Sequence, residues 1–209
     1  MDIISAISLA LGSAWVSGIN LYAGAFTLGL LGYFDYVTLP GNLTSLEHPA
    51  VIAVAFVLYC VEFIADKVPW FDSVWDLIHT FIRIPAGAAL AAAAMSDSSV
   101  PVETIAGLIG GGLATSTHLT KASTRAVANV SPEPFTNWAL STGEDVLAVV
   151  MTVVACLLPL LALGLIALST LLILYFLPRI WRLARGTLAG AYRSLFGANR
   201  GNPPTKHVT

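Results

Sequence analysis

Residues 146–177 read VLAVVMTVVACLLPLLALGLIALSTLLILYFL, 32 positions without one charged side chain. As a single helix this stretch would run about 48 Å, against a bilayer core of about 30 Å. Two spans need about 40 residues, so the pair must borrow from upstream. Helix five therefore starts near Phe135 and carries Ser141-Thr142-Gly143-Glu144-Asp145 to membrane depth. A tight apolar turn near Pro159 leads into helix six. This reading makes the chain a helical membrane protein and places two acids inside it.

The rest of the chain agrees. Of 209 residues, 56% are hydrophobic and only 11% charged, with a mean hydropathy of +0.80. Soluble domains are about 45–50% apolar and about 25% charged. A chain this apolar cannot keep a water-facing surface, which excludes an ordinary soluble enzyme and a disordered chain. A net charge of −2 gives no basic field for nucleic acid. At about 20 residues per span, five to seven helices fit and no separate soluble domain does. Cys60 and Cys156 lie in apolar runs without neighbours at metal-ligand spacing and read as small hydrophobes. Met1-Asp2-Ile3 lacks the positive start of a cleaved signal peptide, so the first apolar run is expected to be retained.

Upstream, the first segment runs from Ile3 to Phe34, interrupted by Ser17-Gly18-Ile19-Asn20. A polar loop occupies 35–48. A second helix runs from Pro49 to Ile64, a third from Ser73 to Met95, and a fourth from Pro101 to Asn129. Six of the ten Lys and Arg residues fall after residue 178, with no acid among them. The positive-inside rule puts that end in the cytoplasm, and an even helix count puts the N-terminus there too. The loops at 35–48 and 96–103 then face outward, and their charges are all acidic: Asp35, Glu47, Asp97 and Glu103. Residues 178–198 read as an amphipathic basic surface helix and 199–209 as a disordered tail.

The expected fold is an all-α polytopic membrane protein of about six transmembrane helices over residues 1–177. Gly12-Ser13-Ala14-Trp15-Val16-Ser17 is similar in small-residue pattern to Gly112-Leu113-Ala114-Thr115-Ser116-Thr117. That similarity suggests two repeats, 1–97 and 100–177, and three helices per copy force the second to be inverted. Chance likeness between apolar segments is the competing explanation. Small-residue faces such as Gly107 and Gly111 allow a homodimer without requiring one.

Nine charges lie within or at the ends of these spans: Glu62, Asp66, Asp76, Glu144 and Asp145, with Lys67, Arg83, Lys121 and Arg125. Facing lipid at about 3 kcal/mol each, they would cost up to roughly 27 kcal/mol together, so pairing around a shared interior is expected. Helical spacing gives each of five helices one polar or small face. Asp72, Asp76, His79 and Arg83 share a face of helix three, and His118, Lys121, Arg125 and Asn129 a face of helix four. Tyr59, Glu62 and Asp66 align on helix two; Asn137, Ser141 and Glu144 on helix five; Ser13, Ser17, Asn20 and Gly24 on helix one. Helix six, apart from Ser169 and Thr170, reads as a lipid-facing packer. Each element also has a plain structural reading. Asp72 and Asp76 can serve the helix dipole, Lys67 can snorkel, Glu62 and Asp66 can form an ion pair with Arg83, and Gly110-Gly111-Gly112 can simply allow close packing.

Enzyme motifs for phosphate binding, acyl transfer or zinc hydrolysis are missing, and no cofactor or metal site is expected. Residues 62–72 (EFIADKVPWFD) and 75–83 (WDLIHTFIR) resemble a bacterial membrane family, domain of unknown function 4126. Residues 17–22 (SGINLY), 118–125 (HLTKASTR), 129–138 (NVSPEPFTNW) and Glu144-Asp145 fit the same pattern. The resemblance spans roughly residues 5–160 and implies that the polar faces belong to a family pattern. It supplies no chemistry.

The function expected is a transporter or permease in the bacterial inner membrane, with both termini cytoplasmic, moving a small polar or anionic solute with proton or cation coupling. It is not expected to be an enzyme. The solute-binding set is Asn20, Tyr22, Arg83, His118, Lys121, Arg125 and Asn129; the ion-coupling set is Glu62, Asp66, Asp72, Asp76, His79, Glu144 and Asp145. Carboxyls taken out of water bind protons more readily, which is why the acids carry the coupling. A divalent-cation exchanger, a lipid scramblase or flippase, and a structural membrane subunit are the alternatives. Transport predicts a cavity lined by both the 62–83 and the 118–125 stripes.

Overall fold

The computed structural model describes residues 2–68, 70–129 and 134–196, with side chains beyond 176 described only at 178, 179 and 182. It contains six α-helices: α1 (Ile3–Tyr33), α2 (Pro49–Ala65), α3 (Phe71–Ala94), α4 (Val100–Ala128), α5 (Pro134–Leu157) and α6 (Pro159–Phe196). Between α1 and α2 the loop over 35–48 winds into a short 3₁₀ helix, Gly41–Glu47. No strand occurs among the described residues.

Local chemistry sets the ends. Asp2 accepts the Ser5 amide at 2.9 Å and caps α1. His48 Nδ1 accepts the Ala50 amide at 3.2 Å, with Pro49 in the first turn of α2. Trp70, at φ 69, lies in the left-handed region and turns the chain from α2 into α3.

Within the Ser17–Asn20 interruption, Asn20 leaves helical geometry (φ −148, ψ 94). Its side-chain oxygen accepts the Ala23 amide at 2.9 Å, so it caps the second half of α1. That bond takes away the amide that would otherwise have met the Ile19 carbonyl. One sequence feature thus exposes a backbone acceptor at the centre of the bundle.

α1 is the hub, packing on every other helix. Close approach rests on small residues. A Cβ added at Gly18 would overlap the Thr117 hydroxyl and the Ala114 carbonyl of α4. One at Gly110 would meet Ala91 and the Gly87 carbonyl of α3. Gly110, and less tightly Gly111, thus serve helix contact, while Gly112 faces open space, and α4 stays helical through all three.

The bundle is polar inside and apolar outside. Arg83, Arg125, Glu62 and Asp72 are fully buried, whereas Phe81 is 78% exposed, Leu108 73% and Leu160 72%. In water this arrangement would be inverted; in lipid it is the stable one. Four helices are long and apolar enough to cross a membrane: Ile3–Tyr33, Phe71–Ala94, Phe135–Leu157 and Pro159–Phe176. The 3₁₀ helix and α2, bent by 73° at their junction, form a fifth candidate when taken together. α4 is long enough, but Glu103, Lys121 and Arg125 lower its hydropathy. Together these features suit a polytopic membrane protein.

α6 continues through Pro178 to Phe196 as one helix of 38 residues, so the basic segment after 178 is helical and joined to the span before it. A proline that removes one amide bends a helix more readily than it ends one when the flanks favour helix. Arg179 and Arg182 donate to the carbonyls of Tyr175 and Pro178, which ties the basic segment back to the preceding turn. The 199–209 tail lies outside the described residues.

Candidate functional site

Arg83 is the first hub. Its guanidinium donates to Glu62 Oε1 at 2.6 Å and to Asp76 Oδ1 at 2.8 Å, and is fully buried. The same nitrogen that reaches Asp76 lies 3.3 Å from His118 Nδ1. A guanidinium can only donate, so Nδ1 is the accepting nitrogen and the His118 proton sits on Nε2. Nε2–H then donates to Thr80 Oγ1 at 2.7 Å, and the Thr80 hydroxyl donates to the Asp76 carbonyl. His118 is therefore neutral. Nitrogen NMR of the labelled protein should report the Nε2–H tautomer, and a doubly protonated ring at neutral pH would contradict the assignment.

Lys121 is the second hub. Its Nζ donates to Asp66 Oδ2 at 2.7 Å and to the Ile19 carbonyl, freed by the α1 break, at 3.1 Å. Glu144, Asp76 and Glu62 stand at 3.5, 3.6 and 3.8 Å. Arg125 is the third. It grips both Glu144 oxygens, at 3.3 and 2.6 Å, and reaches the Asp66 carbonyl, Asn137 Oδ1 and Asp72 Oδ2. Asp72, an acid in the first turn of α3, also accepts from Asn129 at 2.8 Å and from the Ser73 amide at 2.6 Å, so it suits the helix dipole and belongs to the cluster at once.

Two smaller groups flank these hubs. Asn20 donates to Asp145 at 2.9 Å; Asp145 faces Lys67 at 3.7 Å, and Lys67 donates to Ser141. Lys67 Nζ also sits 3.0 Å from the centre of the Phe63 ring, a cation–π contact. His79 Nδ1–H donates to the Trp75 carbonyl at 2.9 Å, which leaves Nε2 to accept the Tyr22 hydroxyl at 3.3 Å. All fourteen sequence candidates thus gather on the inner faces of α1 to α5. Asp66 pairs with Lys121 and not with Arg83.

The charge balance is uneven. Glu62, Asp66, Asp72, Asp76 and Glu144 face Arg83, Lys121 and Arg125, five carboxyls to three bases, while Asp145 and Lys67 balance each other. With all carboxyls ionised the cluster would hold two uncompensated negative charges, each costing several kcal/mol where water is absent. Glu62 Oε2, Asp66 Oδ1 and Asp76 Oδ2 are buried without a hydrogen-bond partner. Those three oxygens can each accept a proton without breaking an existing bond. Two protons neutralise the cluster.

A cavity of about 300 Å³ lies between α1, α4, α5 and α6, walled by Trp15, Ile19, Lys121, Glu144, Leu147 and Leu172 among others. It touches the 118–125 stripe but not the 62–83 stripe, contrary to the expectation of one cavity touching both. Arg83 is fully buried and does not reach the cavity, whereas Lys121 lines it. Glu144, with its side chain 16% exposed, is where the ionic cluster meets the cavity; Arg83, Lys121 and Arg125 are all at 2% or below. Among the described residues no group of three or more His, Cys, Asp and Glu could hold a metal ion.

The family described as domain of unknown function 4126 matches residues 7–179. The chain belongs to that family. The matched span contains every residue of the ionic cluster and both flanking groups, and runs past the 5–160 range over which the motifs carry the likeness. No curated protein and no solved structure matches the chain.

Several neighbours of the cluster escape a reading of the sequence: Thr80, which orients His118, and Trp15, Thr117, Thr120, Thr124 and Ser169 in the cavity wall. Thr117, Thr120 and Thr124 step by three and four beside Lys121, a pattern the sequence does hold. Trp15 has no such signal, since nothing in α1 alone says which neighbour its indole meets.

Proposed function

We propose that the protein is an integral membrane transporter for a small polar solute, coupled to protons through the buried carboxyl of Glu62. The observation that carries this reading is the excess of two negative charges in a buried cluster of which three carboxyl oxygens lack partners. A cluster built only for stability would balance its charges, whereas one that binds and releases protons needs carboxyls whose charge is not fully met. Each of the four bases already faces a carboxylate, so support shifts from an anionic solute to a neutral or proton-donating one.

On this reading α1 to α6 all cross the membrane, α2 and α4 included, as two three-helix halves of opposite orientation. The basic segment after Pro178 and both termini face the cytoplasm of a bacterial cell, and the acidic loops face outward. The non-helical Asn20 supports the broken-helix form of such transporters, since it frees the Ile19 carbonyl, which accepts from the Lys121 ammonium beside Asp66.

Two measurements test the proposal. Infrared spectra of the purified protein at neutral pH should contain protonated-carboxyl absorption that weakens in Glu62→Gln. Liposomes loaded with a pH dye should show protein-dependent proton movement when small amines, zwitterions or neutral polyols are added outside, with at least a roughly tenfold lower rate in Glu62→Gln. Fully ionised carboxyls together with no proton movement for any of these solutes would sink the reading.

A further inference from the structure

We infer that the cavity between α1, α4, α5 and α6 binds an amphipathic organic cation, with its ammonium group against Glu144 and its apolar body between Leu147, Leu172 and Ile173. The hydrogen-bonding character of the walls leads there. The Thr117 hydroxyl donates to the Trp15 carbonyl, Thr120 to Ser116 and Ser169 to Ile166. Their hydrogens are used on backbone, so these three hydroxyls offer the cavity only lone pairs. Lys121 is committed to Asp66 and the Ile19 carbonyl, and the Trp15 indole nitrogen is buried away from the cavity surface. Glu144 keeps lone pairs beyond those that Arg125 occupies and is partly exposed.

Apart from the Lys121 ammonium and the Thr124 hydroxyl, the polar groups in the cavity wall offer it only acceptors. A carboxylate or phosphate would meet lone pairs and a cluster already in negative excess. An ammonium meets acceptors at Glu144, Thr117, Thr120 and Ser169, with Lys121, the cation in the wall, already held by Asp66, and it brings positive charge to the cluster. The apolar part of the wall fits an alkyl or aryl body, and a volume of about 300 Å³ sits at the small end of ligand pockets. Leu147 and Leu172 are exposed on the flank of the bundle, so the ligand can enter from the bilayer side.

The inference names a solute class for the transport reading; binding itself stands apart from that reading, and only movement of the bound cation rests on it. Hexylammonium, hexane-1-sulfonate and 1-hexanol share one alkyl body and differ in head group. Added to the purified full chain, hexylammonium should bind about tenfold more tightly than the other two, as measured by thermal shift and equilibrium binding. Glu144→Gln should abolish that preference. Ser169→Leu fills the cavity from α6 without touching the ionic cluster, and it should abolish hexylammonium binding even if Glu144→Gln fails to fold. Equal binding of the three compounds, preference for the sulfonate, or hexylammonium binding that survives Ser169→Leu would each overturn the site. If hexylammonium binds without moving protons in dye-loaded liposomes, the site stands and coupled transport falls. If other solutes move protons while hexylammonium does not bind, the site falls alone.

Discussion

Arg83→Leu is expected to destabilise the folded protein by about 3–5 kcal/mol, the range for breaking a buried ion pair by removing one partner. The guanidinium is fully buried and holds Glu62 and Asp76, each of which has its second oxygen unpartnered. Leucine removes the charge and restores only part of the volume, leaving the two carboxyls without a hydrogen-bonded base and only the Lys121 ammonium nearby, at 3.8 and 3.6 Å. The loss should shrink as pH falls, because protonating those carboxyls removes the stranded charges. Adding Glu62→Gln to Arg83→Leu should recover part of the stability, since the double variant strands one carboxylate instead of two. Unfolding in detergent at two pH values measures both effects. A cost below about 1 kcal/mol, independent of pH, would mean that water enters the cluster and that it is not the closed site its burial indicates.

The fold is legible in the sequence because its signals are additive along the chain. Span lengths, Pro49, Pro101 and Pro159 at helix starts, and the 32-residue uncharged run each constrain a boundary locally. Helical spacing also places the polar faces, and charges that cannot face lipid have to face one another. What spacing cannot assign is the pairing. Asp66 and Glu62 lie one turn apart on α2, yet they take different bases, because α4 brings Lys121 between α2 and α1 while Arg83 rises from α3. Such choices depend on how close the helices come, and that is set by glycines such as Gly18, whose contacts at Ala114 and Thr117 lie far along the chain.

The same limit hides the cavity. Ser169 reads as an incidental hydroxyl on a lipid-facing helix, and so it is when α6 is taken alone. Only the packing of α6 on α4 brings it opposite Lys121 and Glu144. The 3₁₀ helix escapes for a related reason: seven residues carry too few periods to be told from a loop, and its Leu43 is buried only once the neighbouring helices are in place. Pairing, cavity and short helix are all consequences of approach distance, which periodicity does not encode.

Gly18→Val puts that dependence to the test. The added Cβ would overlap Thr117 Oγ1 and the Ala114 carbonyl and lie 2.9 Å from the His118 amide nitrogen. Two of these three are backbone atoms of α4, which cannot rotate out of the way, so α1 and α4 must separate. Overpacking of a rigid contact costs typically about 1–3 kcal/mol, and here the upper end, about 3 kcal/mol, is expected. The separation also pulls the Ile19 carbonyl away from Lys121, one residue from the substituted position. Proton binding and stability should therefore fail together, although no charged residue has been changed. Gly112→Ala supplies the contrast. Nothing lies within 4 Å of a Cβ at Gly112, and alanine in a helix interior is favoured over glycine by about 1 kcal/mol, so this variant should be neutral or more stable. Equal loss in both variants would show that glycine in these helices provides flexibility and not close approach. Retention of the Glu62-dependent carboxyl absorption in Gly18→Val would separate the ionic cluster from the α1–α4 contact on which its geometry depends.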